Sequence, residues 1–192
     1  MYYLRQCTIL TNLVVVTLIW LTCSFDFYLI QFLVNTFEQV YLSGIGSSLS
    51  DLLGYSTGGI LSTKLGVKGA FLSGFTLATC GGLVILFYGL AHQSSPIFPV
   101  LVLVAKYGIG VSFNTAFVSH NQIFPVLFAA TAMGYCNMFA RLFSAGSSIF
   151  ANLEEPIPML MFTGTAAATA IASLFLRVPK QNTRATSLLE DE

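Results

Sequence analysis

Among the charged side chains that lie inside otherwise apolar stretches of the sequence, three have types and spacing that favour binding chemistry. Asp51 falls in LSDLLGYSTGG, Lys106 in VAKYGIGVSF and Arg141 in CNMFARLFSAG. A charge inside a lipid bilayer costs at least about 2.5–3.5 kcal/mol, so it normally faces a partner or a water-filled cavity. Two cations and one carboxylate in such stretches indicate a site for the charged group of a solute.

The residue patterns of enzymes and metal sites are missing from the sequence. YLSGIG and FLSGF do not supply the G-x-S-G turn of an intramembrane serine protease, and His92 and His120 fall in predicted loops. Asp26 and Asp51 lack the paired motifs of an intramembrane aspartyl protease. The cysteines form no C-x-x-C pair and are interpreted as packing residues. With no G-x-x-x-x-G-K-S/T nucleotide motif either, we expect no enzyme activity, no metal and no cofactor.

The composition predicts that lipid, rather than water, surrounds most of the chain. Of its 192 residues, 55% are hydrophobic and only 8% are charged, whereas a soluble domain carries about 25% charged residues. The net charge of zero argues against a nucleic-acid surface. We therefore expect the lipid bilayer to be a partner and nucleic acid not to be one.

Six segments are long and apolar enough to cross a bilayer, which takes about 20 residues each. The sequence thus predicts an all-α, polytopic membrane protein with six transmembrane helices. A cytoplasmic N-terminal end (1–10) precedes the membrane domain (11–176), and a polar cytoplasmic tail (177–192) follows it. The predicted spans are 11–30, 42–63, 69–90, 97–118, 126–150 and 157–176.

The distribution of Lys and Arg predicts the orientation. One side of the predicted membrane domain holds Arg5, Lys64, Lys68, Arg177, Lys180 and Arg184. The opposite loops hold only Glu38, Glu154 and Glu155. Both termini are therefore expected in the cytoplasm, and the plasma membrane is the expected location.

Asp51, Lys106 and Arg141 are predicted to share one depth. Each lies nine residues from the outer end of its span, about 14 Å in at 1.5 Å per residue and near the middle of a core of about 30 Å. Asp26 lies nearer the outer edge and is expected to reach the interface. Two interpretations stay open: a closed network in which Asp51 pairs with Arg141 or Lys106, or a wetted cavity for an anionic or zwitterionic ligand.

Gly and Ser cluster in the second and fifth predicted spans, in SGIGSSLSDLLGYSTGG and MGYCNMFARLFSAGSS. Small residues let transmembrane helices approach closely. The clusters occupy matching places in two successive three-helix groups, as expected of a three-plus-three inverted repeat.

Taken in order, these motifs resemble the C-terminal six-helix half of the major facilitator superfamily, and within it the organic ion transporters. SFDFY is similar to the family's aromatic-rich seventh helix, and SSLSDLLGYSTGGILSTKLGVKGA to its eighth helix and following basic loop. AKYGIGVSFNTAF resembles the tenth helix, and FPVLFAATAMGYCNMFARLFS the following loop and eleventh helix. The resemblance covers nearly the whole chain.

The resemblance implies transport of a small organic ion, an anion or zwitterion in preference, by alternating access. It implies that Arg141 and Lys106 meet the solute in a central cavity, with Asp51 as their partner or a coupling site. Tyr28 and Phe113 are expected to line that cavity. A cytoplasmic gating region is expected to contain Lys64, Gly66, Lys68, Gln122 and Pro125.

The chain also departs from the family. Gln122 replaces a carboxylate and Ala129 an arginine in the loop after the tenth helix, so a cytoplasmic charge lock is weakened. The terminal Leu-Pro-Glu-Thr pattern has become RVPKQNT, and the N-terminal six-helix half is missing. Three interpretations follow: a fragment or truncated carrier that needs the missing half, a half-size carrier that pairs with a second copy, or a non-transporting membrane scaffold.

Overall fold

The computed structural model describes residues 2–178 and is helical throughout, with no β-strand in that range. The all-α prediction is confirmed. A π-helical turn (Ile85–Gly89) and a short 3-10 helix (Leu90–His92) extend α2. The predicted tail lies outside the described residues from residue 179 onward. The helices are α1 (Tyr2–Leu33), α2 (Val40–Val84), α3 (Phe98–Ile123), α4 (Val126–Ser144), α5 (Ser147–Ala151) and α6 (Ile157–Ser173).

Three of these segments are long and apolar enough to cross a membrane: Thr8–Leu33, Val40–His92 and Phe98–Ile123. A shorter apolar helix covers Ile157–Ser173. A helix satisfies its own backbone hydrogen bonds, which is what a segment surrounded by lipid requires. The predicted membrane character of the chain is confirmed at this level.

The longest segment folds back on itself at Gly66. Val40–His92 contains 53 residues and would measure about 80 Å as a straight rod, far more than a bilayer core of about 30 Å. Gly66 has φ 73° and ψ 163° inside this segment, a conformation that essentially only glycine adopts. It separates a first limb (residues 40–65) from a second limb (residues 67–84).

The two limbs pack on α3 in opposite directions. Along the first limb, contacts with α3 advance as the sequence advances, so these two helices are parallel. Along the second limb they run backwards, so it is antiparallel to α3. The chain therefore reverses at Gly66 with no loop between the limbs. A Cβ atom added at several glycines of α2 would touch α3, which shows where the helices meet. The residues that meet are Gly46 and Pro99, Gly54 and Gly110, Gly74 and Gly108, and Gly81 and Ala105.

The remaining helices continue the alternation of direction. α1 is antiparallel to α6 and to α3 and parallel to α4, so α1, the two limbs, α3, α4 and α6 alternate along the chain. The contacts that establish this are Asn12 with Arg177 and Thr22 with Thr169 for α6, Trp20 with Phe117 and Gln31 with Lys106 for α3, and Thr17 with Cys136 and Phe25 with Phe143 for α4.

Two predicted boundaries are wrong. The fifth predicted span (126–150) is not continuous, because α4 ends at Ser144 and the Gly146 N–H turns back to the Phe143 carbonyl before α5 begins. The fourth was expected to end at residue 118, but α3 continues to Ile123 and contains His120. It stops where Phe124 becomes extended, since a residue before proline avoids the helical region.

Candidate functional site

A buried ammonium group forms the centre of the candidate site. Lys106 lies in the first half of α3, as the ninth of its 26 residues, and is 0% exposed. Its Nζ donates to Asp51 Oδ2 at 2.9 Å, to Gln31 Oε1 at 2.8 Å and to Ser47 Oγ at 2.5 Å. An ammonium group has three protons, so each proton of Lys106 has an acceptor.

Two helical elements bring these acceptors to Lys106. Ser47 and Asp51 are four residues apart in the first limb of α2, so they share one helix face. Gln31 comes from the last turns of α1. Phe27, one turn before Gln31, places its ring centroid 4.6 Å from Lys106 Nζ, a distance at which an aromatic face attracts a cation.

Asp51 is the accessible edge of this cluster. Its side chain is 25% exposed. Oδ2 accepts from Lys106, whereas Oδ1 is buried and has no hydrogen-bond partner within residues 2–178. A carboxylate accepts through both oxygens, so Asp51 keeps unused acceptor capacity beside a saturated lysine.

Arg141 lies on an exposed part of α4 and forms a second, open cationic centre. Its Nη1 donates to the Tyr28 hydroxyl at 2.9 Å. Its Nε is 3.4 Å from Asn137 Oδ1, longer than an ordinary hydrogen bond. Lys106–Asp51 is the one ion pair among the described residues, so Arg141 has no carboxylate partner there. A guanidinium carries five N–H donors, and most of these remain available.

The two centres are joined by aromatic rings. Tyr28, which accepts from Arg141, lies edge-on to Phe27 with the ring centroids 5.5 Å apart. Phe27 in turn contacts Lys106 and lies 5.8 Å from the Phe113 ring. The structure therefore brings the five predicted solute-site residues into one connected cluster. Whether they bind a solute stays a prediction.

A groove leads to this cluster between the end of α1 and the start of α2. It encloses about 630 Å³. Gln31, an acceptor of the Lys106 ammonium, forms part of its wall. The groove is therefore a path from the loop that joins α1 to α2 toward the buried lysine. Its other lining residues are Val34, Asn35, Val40, Tyr41, Gly44, Ile45, Ser48, Leu49 and Leu52.

The sequence interpretation did not identify Gln31, Ser47 or Asn137. All three are uncharged polar residues within apolar helices, where such residues commonly serve packing. A periodic signal does exist, because Ser47 and Gln31 each lie four residues from a member of the cluster, Asp51 and Phe27. Residues four apart share a helix face.

The predicted gating residues lie at helix ends. Gly66 forms the reversal between the limbs, and Lys64 beside it is exposed. Lys68 Nζ donates to the Leu174 carbonyl just beyond α6. Pro125 begins α4 and Gln122 lies in the last turn of α3. Because the first limb and α3 are parallel, these residues share one end of the bundle. Their gating role stays a prediction.

The prediction that Asp26 reaches the membrane interface is wrong. Asp26 is 0% exposed, and its Oδ1 lies 2.7 Å from the hydroxyl oxygen of Thr165 in α6. Depth counted from the end of a span does not show which face of a helix carries a residue, and here that face packs inside the protein.

The residues of the described range contain no group of three or more His, Cys, Asp or Glu side chains suited to a metal ion. No protein-family model matches the sequence. The functional assignment therefore depends on the geometry of the cluster.

Proposed function

We propose that the chain is a six-span half of a membrane carrier that moves a small organic anion or zwitterion by alternating access. The observation that carries this proposal is the exposed guanidinium of Arg141, which has no carboxylate partner in the described part of the chain. The resemblance to the C-terminal half of organic ion transporters of the major facilitator superfamily points the same way.

The position of Arg141 suggests that its exposed guanidinium faces a cavity rather than lipid. It lies in the last turn of α4 and is joined through Tyr28 and Phe27 to the buried Lys106 of α3. A guanidinium inside a bilayer is costly against acyl chains but not in a water-filled cavity. Its forked donors match a carboxylate or phosphate group, so an anionic group is the expected ligand.

The alternating helix directions support six membrane crossings. Taking each limb of α2 as its own span converts the long segment into two crossings of ordinary length. Both termini then lie on one side, together with Lys64 and Lys68, whereas Glu154 and Glu155 lie on the other. This charge asymmetry supports cytoplasmic termini, in a multi-pass protein that we place in the plasma membrane.

An exposed apolar surface borders the cluster and supports a partner there. The first limb and α4 both expose large apolar side chains next to Asp51 and Arg141. Alternating access needs a second helical unit across a central site, and this surface is where we place it, as a missing six-helix half or a second copy. The side chains are Tyr41, Leu42, Ile45, Leu52, Ile60, Met138 and Leu142.

Lys106 and Arg141 are proposed to act differently. Arg141 contacts the anionic group directly, because its donors are available. Lys106 has every proton engaged and holds Asp51, so it meets solute only after Asp51 releases it. Asp51 Oδ1, the unused acceptor, suits the cationic part of a zwitterion or a coupling ion.

Uptake into proteoliposomes tests the proposal. The full chain is reconstituted and challenged with a panel of labelled organic anions and zwitterions, with empty liposomes as the background. Arg141→Ala is expected to remove uptake above background, and Arg141→Lys to retain part of it because the charge remains. Arg177→Ala, a change of an exposed arginine outside the cluster and the predicted gating region, serves as the matched control for lost charge.

The proposal fails if the wild-type chain takes up none of these solutes, or if Arg141→Ala transports as well as wild type. The first outcome favours the second candidate, a non-transporting membrane scaffold that pairs through the exposed apolar surface. The saturated contacts of Lys106 favour that candidate, since a closed polar cluster can fix helix register without binding anything.

A further inference from the structure

Asp26 presents a buried acid that the proposed transport site does not use. It lies in α1 against α6 and is 0% exposed. Its Oδ1 is 2.7 Å from Thr165 Oγ1. One turn earlier in α1, the Thr22 hydroxyl lies 2.7 Å from that of Thr169. Asp26 therefore continues a row of hydrogen bonds that joins α1 to α6, and the other pair in that row is uncharged.

No positive group compensates Asp26 among the side chains described in residues 8–178. Lys106 is paired with Asp51, and Arg141 bonds to Tyr28 on a different helix. On its own helix, the buried thiol of Cys23 interacts electrostatically with Asp26, and a thiol is not cationic.

The other helices packed around this part of α1 also bring no charge to it. The facing contact from α6 is the hydroxyl of Thr165, and α4 and α5 contribute the rings of Phe143 and Phe150 against Phe25. A carboxylate without a counter-ion in such surroundings is strongly disfavoured, and it takes up a proton instead.

Both short contacts of the Thr165 hydroxyl hold a hydrogen only with that proton, while the second carboxyl oxygen, Asp26 Oδ2, is buried and has no hydrogen-bond partner among the described residues. Thr165 Oγ1 lies 2.7 Å from Asp26 Oδ1 and also 2.7 Å from the Met161 carbonyl. A hydroxyl has a single proton. An ionised Asp26 would take it and leave the Met161 contact unfilled. A neutral acid donates its own O–H to Thr165, and Thr165 then donates to Met161, so both short contacts hold a hydrogen.

We propose that Asp26 is a proton-binding site whose carboxyl group is held as the neutral acid and donates to Thr165 across the α1–α6 interface. The ligand is a single proton delivered by a hydronium ion: the carboxyl O–H bond forms as an O–H bond of the hydronium ion breaks, and a neutral water molecule is left. Because the site is sealed from solvent, the proton leaves when α1 and α6 separate enough to admit water. The proposal is independent of which solute, if any, the chain transports.

Infrared spectroscopy of the full chain in lipid tests this assignment. A protonated carboxyl has a C=O stretching band above the amide I region, and this band shifts in heavy water. At neutral pH the wild-type protein is expected to show it, and Asp26→Asn to lack it. Glu154→Gln is the matched control and keeps the band, because it removes an exposed acid that lies between α5 and α6, outside the α1–α6 hydrogen-bond row.

Absence of the band from wild type, or its persistence in Asp26→Asn, overturns the proposal. If Asp26→Asn does not fold, Thr165→Val decides the question. Removing the hydroxyl is expected to shift the band to higher frequency without abolishing it, because the carboxyl loses its hydrogen-bond partner. An unchanged band in Thr165→Val would assign it to a different acid and contradict the proposal.

Discussion

Lys106 and Asp51 join α3 to the first limb of α2 through an ion pair of 2.9 Å between Nζ and Oδ2. The pair is asymmetric, since the lysine is sealed inside the bundle while the aspartate side chain is 25% exposed, although its unpaired oxygen Oδ1 is buried. Access to the pair is therefore through Asp51. The lysine lies deeper than Asp51, and its ammonium group also donates to Gln31 and Ser47.

Loss of one partner of this pair is expected to be more harmful than loss of both. Lys106→Met leaves a largely buried carboxylate without its cation, and we expect it to lower the free energy of unfolding by about 3–5 kcal/mol. Combining it with Asp51→Leu is expected to recover most of the loss. Thermal unfolding in detergent micelles measures both, and the exposed Lys64→Met is the control. A double variant as unstable as Lys106→Met would contradict a coupled pair.

The reversal at Gly66 is expected to require glycine. Gly66→Ala forces a side chain into a backbone conformation with φ 73°, and such a residue costs about 1–3 kcal/mol. Gly59→Ala is the matched control, because a methyl group there meets nothing within 4 Å and alanine favours a helix. Chemical unfolding of the two variants should separate them. Equal stability would show that the limbs are not joined through this conformation.

Close packing of the first limb on α3 is expected to depend on Gly54. A Cβ at this position would lie 3.0 Å from the Gly110 Cα, so Gly54→Ala pushes two backbones apart and is expected to cost about 1–3 kcal/mol. Gly134→Ala has open space around it and serves as the control. Thermal unfolding is the measurement, and a Gly54→Ala variant as stable as the control would contradict the contact.

The Tyr28 hydroxyl is expected to orient Arg141 for binding. Tyr28→Phe keeps the ring on Phe27 but removes the acceptor of Arg141 Nη1. One hydrogen bond of about 0.5–1.5 kcal/mol corresponds to a KM for uptake of an organic anion raised roughly two- to tenfold. Tyr135→Phe, on the exposed part of α4, is the control. An unchanged KM in Tyr28→Phe, with unchanged protein abundance, would remove Tyr28 from the site.

The all-helical fold class and the contact between Lys106 and Asp51 could be predicted from the sequence, because both follow from the spacing of residues along apolar segments. Lys106 and Asp51 lie at matching depths in neighbouring spans, so their contact was one of the two interpretations left open. The prediction that Asp26 reaches the membrane interface is wrong because depth along a span does not specify which face of the helix carries a residue. Packing against α6 determines that face. The break after Ser144 was missed because Ala145 and Gly146 continue an apolar, small-residue pattern.

The polar partners of Lys106 could not be predicted from the sequence, for a different reason. Gln31 and Ser47 acquire their role only when α1 and the first limb of α2 converge on α3. That convergence depends on close helix contacts, such as Gly54 on Gly110, which no local pattern specifies. A side chain whose function depends on a neighbouring helix therefore has no distinctive local signature.

The absence of a loop at Gly66 has a mechanical consequence. Two antiparallel limbs joined by one residue have no slack, so neither can slide along α3 by a helical turn without carrying the other. We expect the limbs and α3 to tilt together as a single wedge. Lys106 and Asp51 travel together within that wedge until Asp51 releases the lysine, while α6 and the two helices that carry Tyr28 and Arg141, α1 and α4, are left to swing against it.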